Sequence, residues 1–278
     1  MTIIGTGFPM NTPWRYIDEG VNSASYNMAL DEALAIAVRK ELAPPTLRLY
    51  GWDRHSVTIG YFQRISDIDI AYCTNRNIPV VRRPSGGRAI LHGEELTYSF
   101  SAKTDTGMFS SGLLDSYAKI SKALGLAFAH IGIAPETKLR RQPPSESKTG
   151  SRSRNPLCFH SASYGEISFH KRKIIGSAQK RWRDGLLQQG SIPAIIAYDE
   201  VSIIFRCADP KSLQETMCGL REIVPSLTMD RLKSALRSAF EEVFAIQFNQ
   251  APPSAEETKL AEELEAQKYS THQWNFQR

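Results

Sequence analysis

The sequence predicts an α+β protein: a mixed, largely antiparallel sheet flanked by helices, with a short helical C-terminal extension. Three observations lead there. Strand-like and helix-like stretches are interleaved without the regular βαβ alternation of a doubly wound fold. The chain turns predominantly helical beyond Pro210, and no internal repeat divides it. Its 278 residues, 41% hydrophobic and 23% charged, suffice for a large core in one main domain.

The elements follow in order. Asn22 to Leu42 has an apolar side formed by Met28, Leu30 and Ala33 to Ala37, and Pro44-Pro45 stops it, which predicts a helix. Thr46 to Trp52 and Ser56 to Phe62 are β-rich runs joined by the polar turn Asp53-Arg54-His55. Asp67 to Arg76 is expected as a short helix, and "IPVVRR" as the next strand. Leu113 to Ile133 places Leu114, Tyr117, Ile120 and Leu124 at helical spacing. Tyr164 to Gln179 is expected to fold as a hairpin turning near Lys171-Arg172, and Asp184-Gly185 as a two-residue turn into "LLQQGSI". Helices are expected over Lys211 to Arg221, Thr228 to Ala245 and Ser254 to Lys268, the last opened by a Ser254/Glu257 capping box. Residues 13–249 are expected to form the main domain, with 250–278 as a helix and tail packed on it.

Composition narrows the function. The N-terminus lacks the basic and apolar regions of a signal peptide, and no apolar run approaches the length of a membrane span. Cys73, Cys158, Cys207 and Cys218 are scattered, forming neither a disulfide framework nor a zinc pair. A reducing, cytoplasmic setting follows, with no membrane partner. The net charge of +5 owes much to Pro135 to Leu157, where six Lys and Arg face two Glu. This basic stretch has no aromatic residue for base stacking and no DNA-binding spacing, so no nucleic-acid partner is expected. A solvated loop, or one that meets an acidic protein, fits it.

Two stretches carry chemistry. In "VVRRPSGGRAILHGEELTYSF" (Val80 to Phe100), Gly86-Gly87 lets a ligand approach main-chain N–H groups, and the arginines beside it suit carboxylate or phosphate. Neither a Walker A loop nor a GxGxxG turn is present. A simple bulged turn accounts for Ser-Gly-Gly equally well on local grounds, and His92 alone reads as a core or rim histidine. In and just before "NPLCFHSASYGEISFHKRKIIGSAQKR", Arg152, Arg154, His160 and Lys173 flank Cys158 in sequence, and such basic neighbours are expected to lower a thiol pKa from its ordinary value of about 8.5. Cys73, Cys207 and Cys218 read as small buried hydrophobes.

Taken together, six motifs resemble the lipoate–protein ligase A / octanoyltransferase family, which shares the biotin/lipoate ligase catalytic fold. They are "WRYIDEG", "YNMALDEAL", "LRLYGWDRHSVTIGYFQ", "VRRPSGGRAILHGEELTYS", "LCFHSASYGEI" and "KIIGSAQKR", in the family's order from Trp14 onward. Within the family, the resemblance is to the cysteine-dependent octanoyltransferases of the LipM type. It implies that Arg82, Arg83, Ser85, Gly86, Gly87 and His92, with Gly176 and Ser177, line the acyl pocket. It implies Lys173 at the activated carbonyl and Cys158 as the thiol that carries the acyl group. The implied reaction moves octanoyl or lipoyl from an acyl carrier protein or similar donor onto a lysine of an apo lipoyl domain, glycine-cleavage H protein-like or 2-oxoacid dehydrogenase-like. That route needs no cofactor or metal. The alternative is an ATP- and Mg²⁺-dependent lipoate or octanoate ligase, for which Cys158 is dispensable. A catalytically silent binder of lipoyl domains is the third reading, and retention of Lys173 and Cys158 argues against it. Two departures from the family pattern stand near the site: Gly93 after the motif histidine, where Asp is common, and Ser161-Ala162-Ser163 after the cysteine, where Pro-Ser is frequent.

Overall fold

The computed structural model describes residues 13–105, 107–138, 166–207 and 209–278. The first element among the described residues is β1 (Trp14–Asn22), which the sequence patterning did not predict, and Ser23 caps α1 (Ala24–Arg39) by accepting from the Tyr26 N–H. Next come β2 (Thr46–Trp52), β3 (Ser56–Ile59), α2 (Ile70–Asn75), β4 (Val80–Arg82), β5 (Ile90–His92), β6 (Glu95–Lys103) and α3 (Leu113–His130). β7 (Glu136–Lys138), β8 (Glu166–Phe169), β9 (Arg172–Lys173), β10 (Gly176–Arg181) and β11 (Gly185–Pro193) follow. The last third holds α4 (Tyr198–Phe205), α5 (Pro210–Thr216), α6 (Met229–Phe244), β12 (Phe248–Gln250), α7 (Ala255–Leu264) and α8 (His272–Asn275). Ser254 and Glu257 form the expected capping box at α7.

The main sheet has the order β10-β11-β6-β2-β1-β12, parallel at the β2-β1-β12 end and antiparallel from β2 to β10. This mixed sheet is the expected α+β architecture. Strand alternation divides its two faces. Leu47 and Leu49 of β2 and Leu96, Tyr98 and Phe100 of β6 join Trp14 and the aromatic rings of α6 in one core, beneath α3 and α6. Arg48 and Tyr50 of β2 and Thr97 and Ser99 of β6 point the other way, toward α1, which α7 covers in turn. A buried, bidentate ion pair from Arg15 to Glu257 ties β1 to α7. A second, three-stranded sheet, β4-β3-β5, stands beside the main one and carries the Ser-Gly-Gly segment between β4 and β5.

Two expectations needed correction. The hairpin over Tyr164 to Gln179 turns at His170-Lys171, both left-handed (φ 48° and 63°), but its second arm is only Arg172–Lys173. Ile174 and Ile175 are both buried, and β10 then pairs in the main sheet, so one expected hairpin spans two sheets. The helix expected over Lys211 to Arg221 stops at Thr216, and its apolar residues Met217 and Cys218 are buried in extended chain against β9.

Candidate active site

The Ser-Gly-Gly loop bridges the ends of β4 and β5 across the end of β3, and three interactions fix it. The Arg83 guanidinium turns inward and donates to the Gly86 carbonyl (2.7 and 3.1 Å), the Arg88 carbonyl (2.7 Å) and the Thr58 carbonyl (3.2 Å). Its planar fork gathers carbonyls from both ends of the loop. Because C=O and N–H point oppositely across a trans peptide, the Gly87 N–H is turned away from this arginine. Among the described residues, the Gly86 and Gly87 N–H groups have no hydrogen-bond acceptor. Gly87 is left-handed (φ 83°), as expected of a loop glycine.

The second fixing interaction is one the sequence reading did not find. A Cβ on Gly60 would lie 1.9 Å from the Gly87 carbonyl oxygen, so only glycine at the end of β3 lets the loop lie down upon it. The third is a buried relay from α1. The Ser85 hydroxyl donates to Gln189 Oε1 (2.7 Å), and Gln189 Nε2 donates to Asp31 Oδ2 (2.8 Å). Asp31 also accepts from Arg48 (2.8 Å), Tyr50 (2.8 Å) and Ser99 (2.6 Å). Burial alone would drive Tyr50 toward its neutral form, and its pKa stands well above the ordinary range for that reason first and for the nearby Asp31 charge second. The sequence signal was available: Asp31 interrupts the apolar side of a helix, and Gln188-Gln189 interrupts a strand buried along its length.

His92 is held on every side. Its Nδ1 pairs with Glu95 (2.9 Å), its Nε2 with the Thr58 hydroxyl (2.7 Å), and its ring stacks on Trp52 at 3.8 Å. Glu95 accepts in addition from Trp52 Nε1, Thr97 and Ser191. Burial raises the Glu95 pKa, but the His92 charge and the bonds from His92, Thr97 and Ser191 outweigh it, leaving the carboxyl below its ordinary value.

These groups enclose a small chamber of about 20 Å³ lined by Met28, Trp52, Arg83, His92, Gly176 and Ala178, among others. A larger, mainly apolar cavity of about 190 Å³ shares Ile90, His92 and Ser191 with it. Of the residues implied by the resemblance, Arg83, His92 and Gly176 line the chamber, and Ser85, Gly86 and Gly87 form the loop beside it. Arg82 does not line it. Wholly buried, it donates to the carbonyls of Gly60, Tyr61, Gln63, Trp274 and Asn275, so it is a strut tying this loop to the C-terminal segment. Ser177 also departs from expectation: Gly176 and Ala178 face the chamber, so alternation turns Ser177 to the other side, where it bonds the Tyr98 hydroxyl at 2.9 Å. A Cβ at Gly93 would meet the half-exposed His55 ring at 2.9 Å, a side chain that can swing aside. Lys173 is buried on β9, three residues before Gly176.

Cys158 lies outside the described residues. The other three cysteines are poor nucleophiles. Burial pushes Cys73 and Cys218 up to about 11 and raises Cys207.

The lipoyl protein ligase A/B catalytic domain model matches residues 23–241. The chain is 36% identical to an octanoyltransferase LipM of Carboxydothermus hydrogenoformans over 275 residues, covering 95% of this chain and 98% of that one. It is 31% identical to an octanoyltransferase LipM of Bacillus subtilis, again covering 95% and 98%. Among solved structures, a lipoate–protein ligase A bound with ATP superposes with a TM-score of 0.79 at 22% identity, covering 95% of this chain and 99% of that one. A lipoate protein ligase of Thermoplasma acidophilum and its E2 lipoyl domain belong to a second such system, with a TM-score of 0.75 at 23% identity, 95% of this chain and 96% of that one being covered.

Proposed function

The chain belongs to the lipoyl protein ligase A/B catalytic domain family, and from that premise we propose that it is a protein octanoyltransferase working through a thioester on Cys158. It transfers an octanoyl (or lipoyl) group onto the acceptor lysine of an apo lipoyl domain in protein lipoylation. The observation that carries transfer over ligation is similarity to LipM octanoyltransferases along nearly the whole length of both chains. Cys73 and Cys218 are buried and the half-buried Cys207 thiol is raised above its ordinary pKa, which supports Cys158 as the thiol for a covalent route.

The steps balance as two acyl exchanges. The Cys158 thiolate attacks the donor thioester carbonyl, the bond to the donor sulfur breaks, and the donor leaves as a thiolate. The neutral ε-amine of the acceptor lysine then attacks the new thioester. A C–N bond forms, the C–S bond to Cys158 breaks, and the amine loses its proton to solvent as the thiolate is restored. Each tetrahedral intermediate carries an oxyanion. The Gly86 and Gly87 N–H groups supply donors for it without reorganisation, because Arg83 and the Ser85–Gln189–Asp31 relay already hold the loop, and Lys173 is the further donor that the family resemblance assigns.

A chamber of about 20 Å³ holds roughly one water, so an acyl chain must displace a side chain on entry. Met28 is the lining residue best suited to repack: it is buried but unbranched, and its sulfur takes a 3.4 Å contact from Gln189 Nε2. Trp52 and His92, stacked and fully bonded, are the fixed wall. The donor is an acyl carrier protein or a comparable thioester carrier, the route consumes no ATP, and the compartment is the reducing cytoplasm. Among the described residues, no helix is long and apolar enough to cross a membrane.

The test follows intact masses of enzyme and apo lipoyl domain with octanoyl-acyl carrier protein, or with octanoate and Mg-ATP, for wild type and Cys158→Ser. The proposal expects a hydroxylamine-labile octanoyl mass on the enzyme and acceptor modification without ATP, both lost in the Ser variant. Modification that requires ATP and survives Cys158→Ser overturns it in favour of the ligase.

A further inference from the structure

Beside the Ser-Gly-Gly loop, the exposed Phe62 and the half-buried rings of Tyr61 and Trp182 alternate with cations. The Tyr61 N–H donates to the Ser85 carbonyl at 3.0 Å, which puts the Tyr61-Phe62 turn one hydrogen bond from the loop. Phe62 is 70% exposed and stands edge-on to Tyr61 at 4.8 Å. The Arg278 guanidinium lies 5.4 Å from the Phe62 ring and 5.7 Å from Tyr61. From the edge strand β10, the Lys180 ammonium lies 5.3 Å from Tyr61 and 5.8 Å from Trp182. Among the described residues, neither Lys180 nor Arg278 has a carboxylate partner, whereas Arg39, Arg172, Arg221 and Lys233 all do.

We propose that this strip is the docking surface for the acceptor domain, and that it takes an acidic face with an apolar centre. The inference rests on the acyltransferase reading above. An acceptor lysine reaches only roughly 6 Å beyond its own backbone on a four-carbon stem, so the domain that carries it must sit against the rim of the site. The Tyr61-Phe62 turn is that rim. A donor whose thioester rides on an extended flexible arm has no such constraint. Two cations without an Asp or Glu partner attract a surface of opposite charge and repel a basic one. A large exposed ring at the centre of a polar border has the make-up of an interface anchor, with aromatic and Arg residues enriched and the flanking charges left in solvent.

The test separates docking from chemistry. Phe62→Ala and the double reversal Lys180→Glu/Arg278→Glu are compared with wild type in two reactions. The first is octanoylation of the enzyme by a small octanoyl thioester that has no protein carrier. The second is transfer from the octanoyl-enzyme to an apo lipoyl domain, at low and at high salt. Expected are first-step rates within about twofold of wild type, and an acceptor KM raised about tenfold or more in the reversal variant, whose response to salt is also lost. Phe62→Ala raises the acceptor KM at both salt concentrations. The proposal is overturned if acceptor KM is unchanged in both variants, if the first step falls in parallel, or if only transfer from a protein-borne donor is impaired. If wild type itself transfers nothing, the catalytic reading has failed. The docking proposal is then decided by direct titration of the apo domain against wild type and reversal variant, where equal affinity refutes it.

Discussion

Gly60→Ala is the sharpest perturbation the site offers. The residue ends β3 directly beneath the loop, and the added methyl would stand 1.9 Å from the Gly87 carbonyl oxygen and 2.9 Å from its carbonyl carbon. Ordinary contact begins above about 3.4 Å, so backbone must move by more than an ångström; no side chain can swing aside. Overpacking of this kind costs about 1–3 kcal/mol. The loop is the part free to lift, and lifting it carries the Gly86 and Gly87 N–H groups off target. A misplacement of about 1 Å costs on the order of 10²-fold in rate. Urea unfolding gives the first number, and the rate of octanoyl transfer to an apo lipoyl domain gives the second. Gly86→Ala is the stability control: a Cβ there meets nothing within 4 Å, so a change within about 0.5 kcal/mol is expected. A Gly60→Ala protein with wild-type stability and a transfer rate within a few-fold of wild type would refute the argument that this glycine seats the loop.

Three further outcomes are expected. Arg82→Ala strands five carbonyls that one guanidinium now serves and should cost about 3 kcal/mol or more in urea unfolding, while a loss under 1 kcal/mol denies the strut. The Glu95 carboxyl lies below its ordinary value in the folded protein, so the stability it adds is whole above the unfolded pKa of about 4.3 and lost as pH falls through the folded one. The Tm gap between wild type and Glu95→Gln should therefore narrow as pH falls below about 4.3, and a constant gap contradicts the assignment. Iodoacetamide at about pH 8 should label the native protein at Cys158 well before Cys73 or Cys218, whose thiols titrate near 11; equal labelling of all three by peptide mass would remove the argument from elimination.

The sequence by itself determined the helices whose apolar residues repeat at helical spacing, α1, α3, α6 and α7, together with the Ser-Gly-Gly loop and the family. Those features are local, because a period, a cap or a motif is complete within some twenty residues. Its near misses arose where local signals ran out. Leu114 has helical spacing but remains exposed at the first turn of α3, and β1 mixes Asp, Glu and Gly into a strand that its two parallel neighbours define. Only the tertiary structure decided which residues line the site and which hold it in place. Arg82 and Arg83 are adjacent and identical in type, yet one anchors the C-terminal segment and the other curls the loop, since successive side chains on a strand leave on opposite sides. Gly60 matters through the carbonyl of Gly87, and Ser85 through Gln189 and Asp31. Those partners lie 27, 104 and 158 positions apart in the chain, and hydrogen bonds and excluded volume act on distance in space, which no pattern along the sequence records.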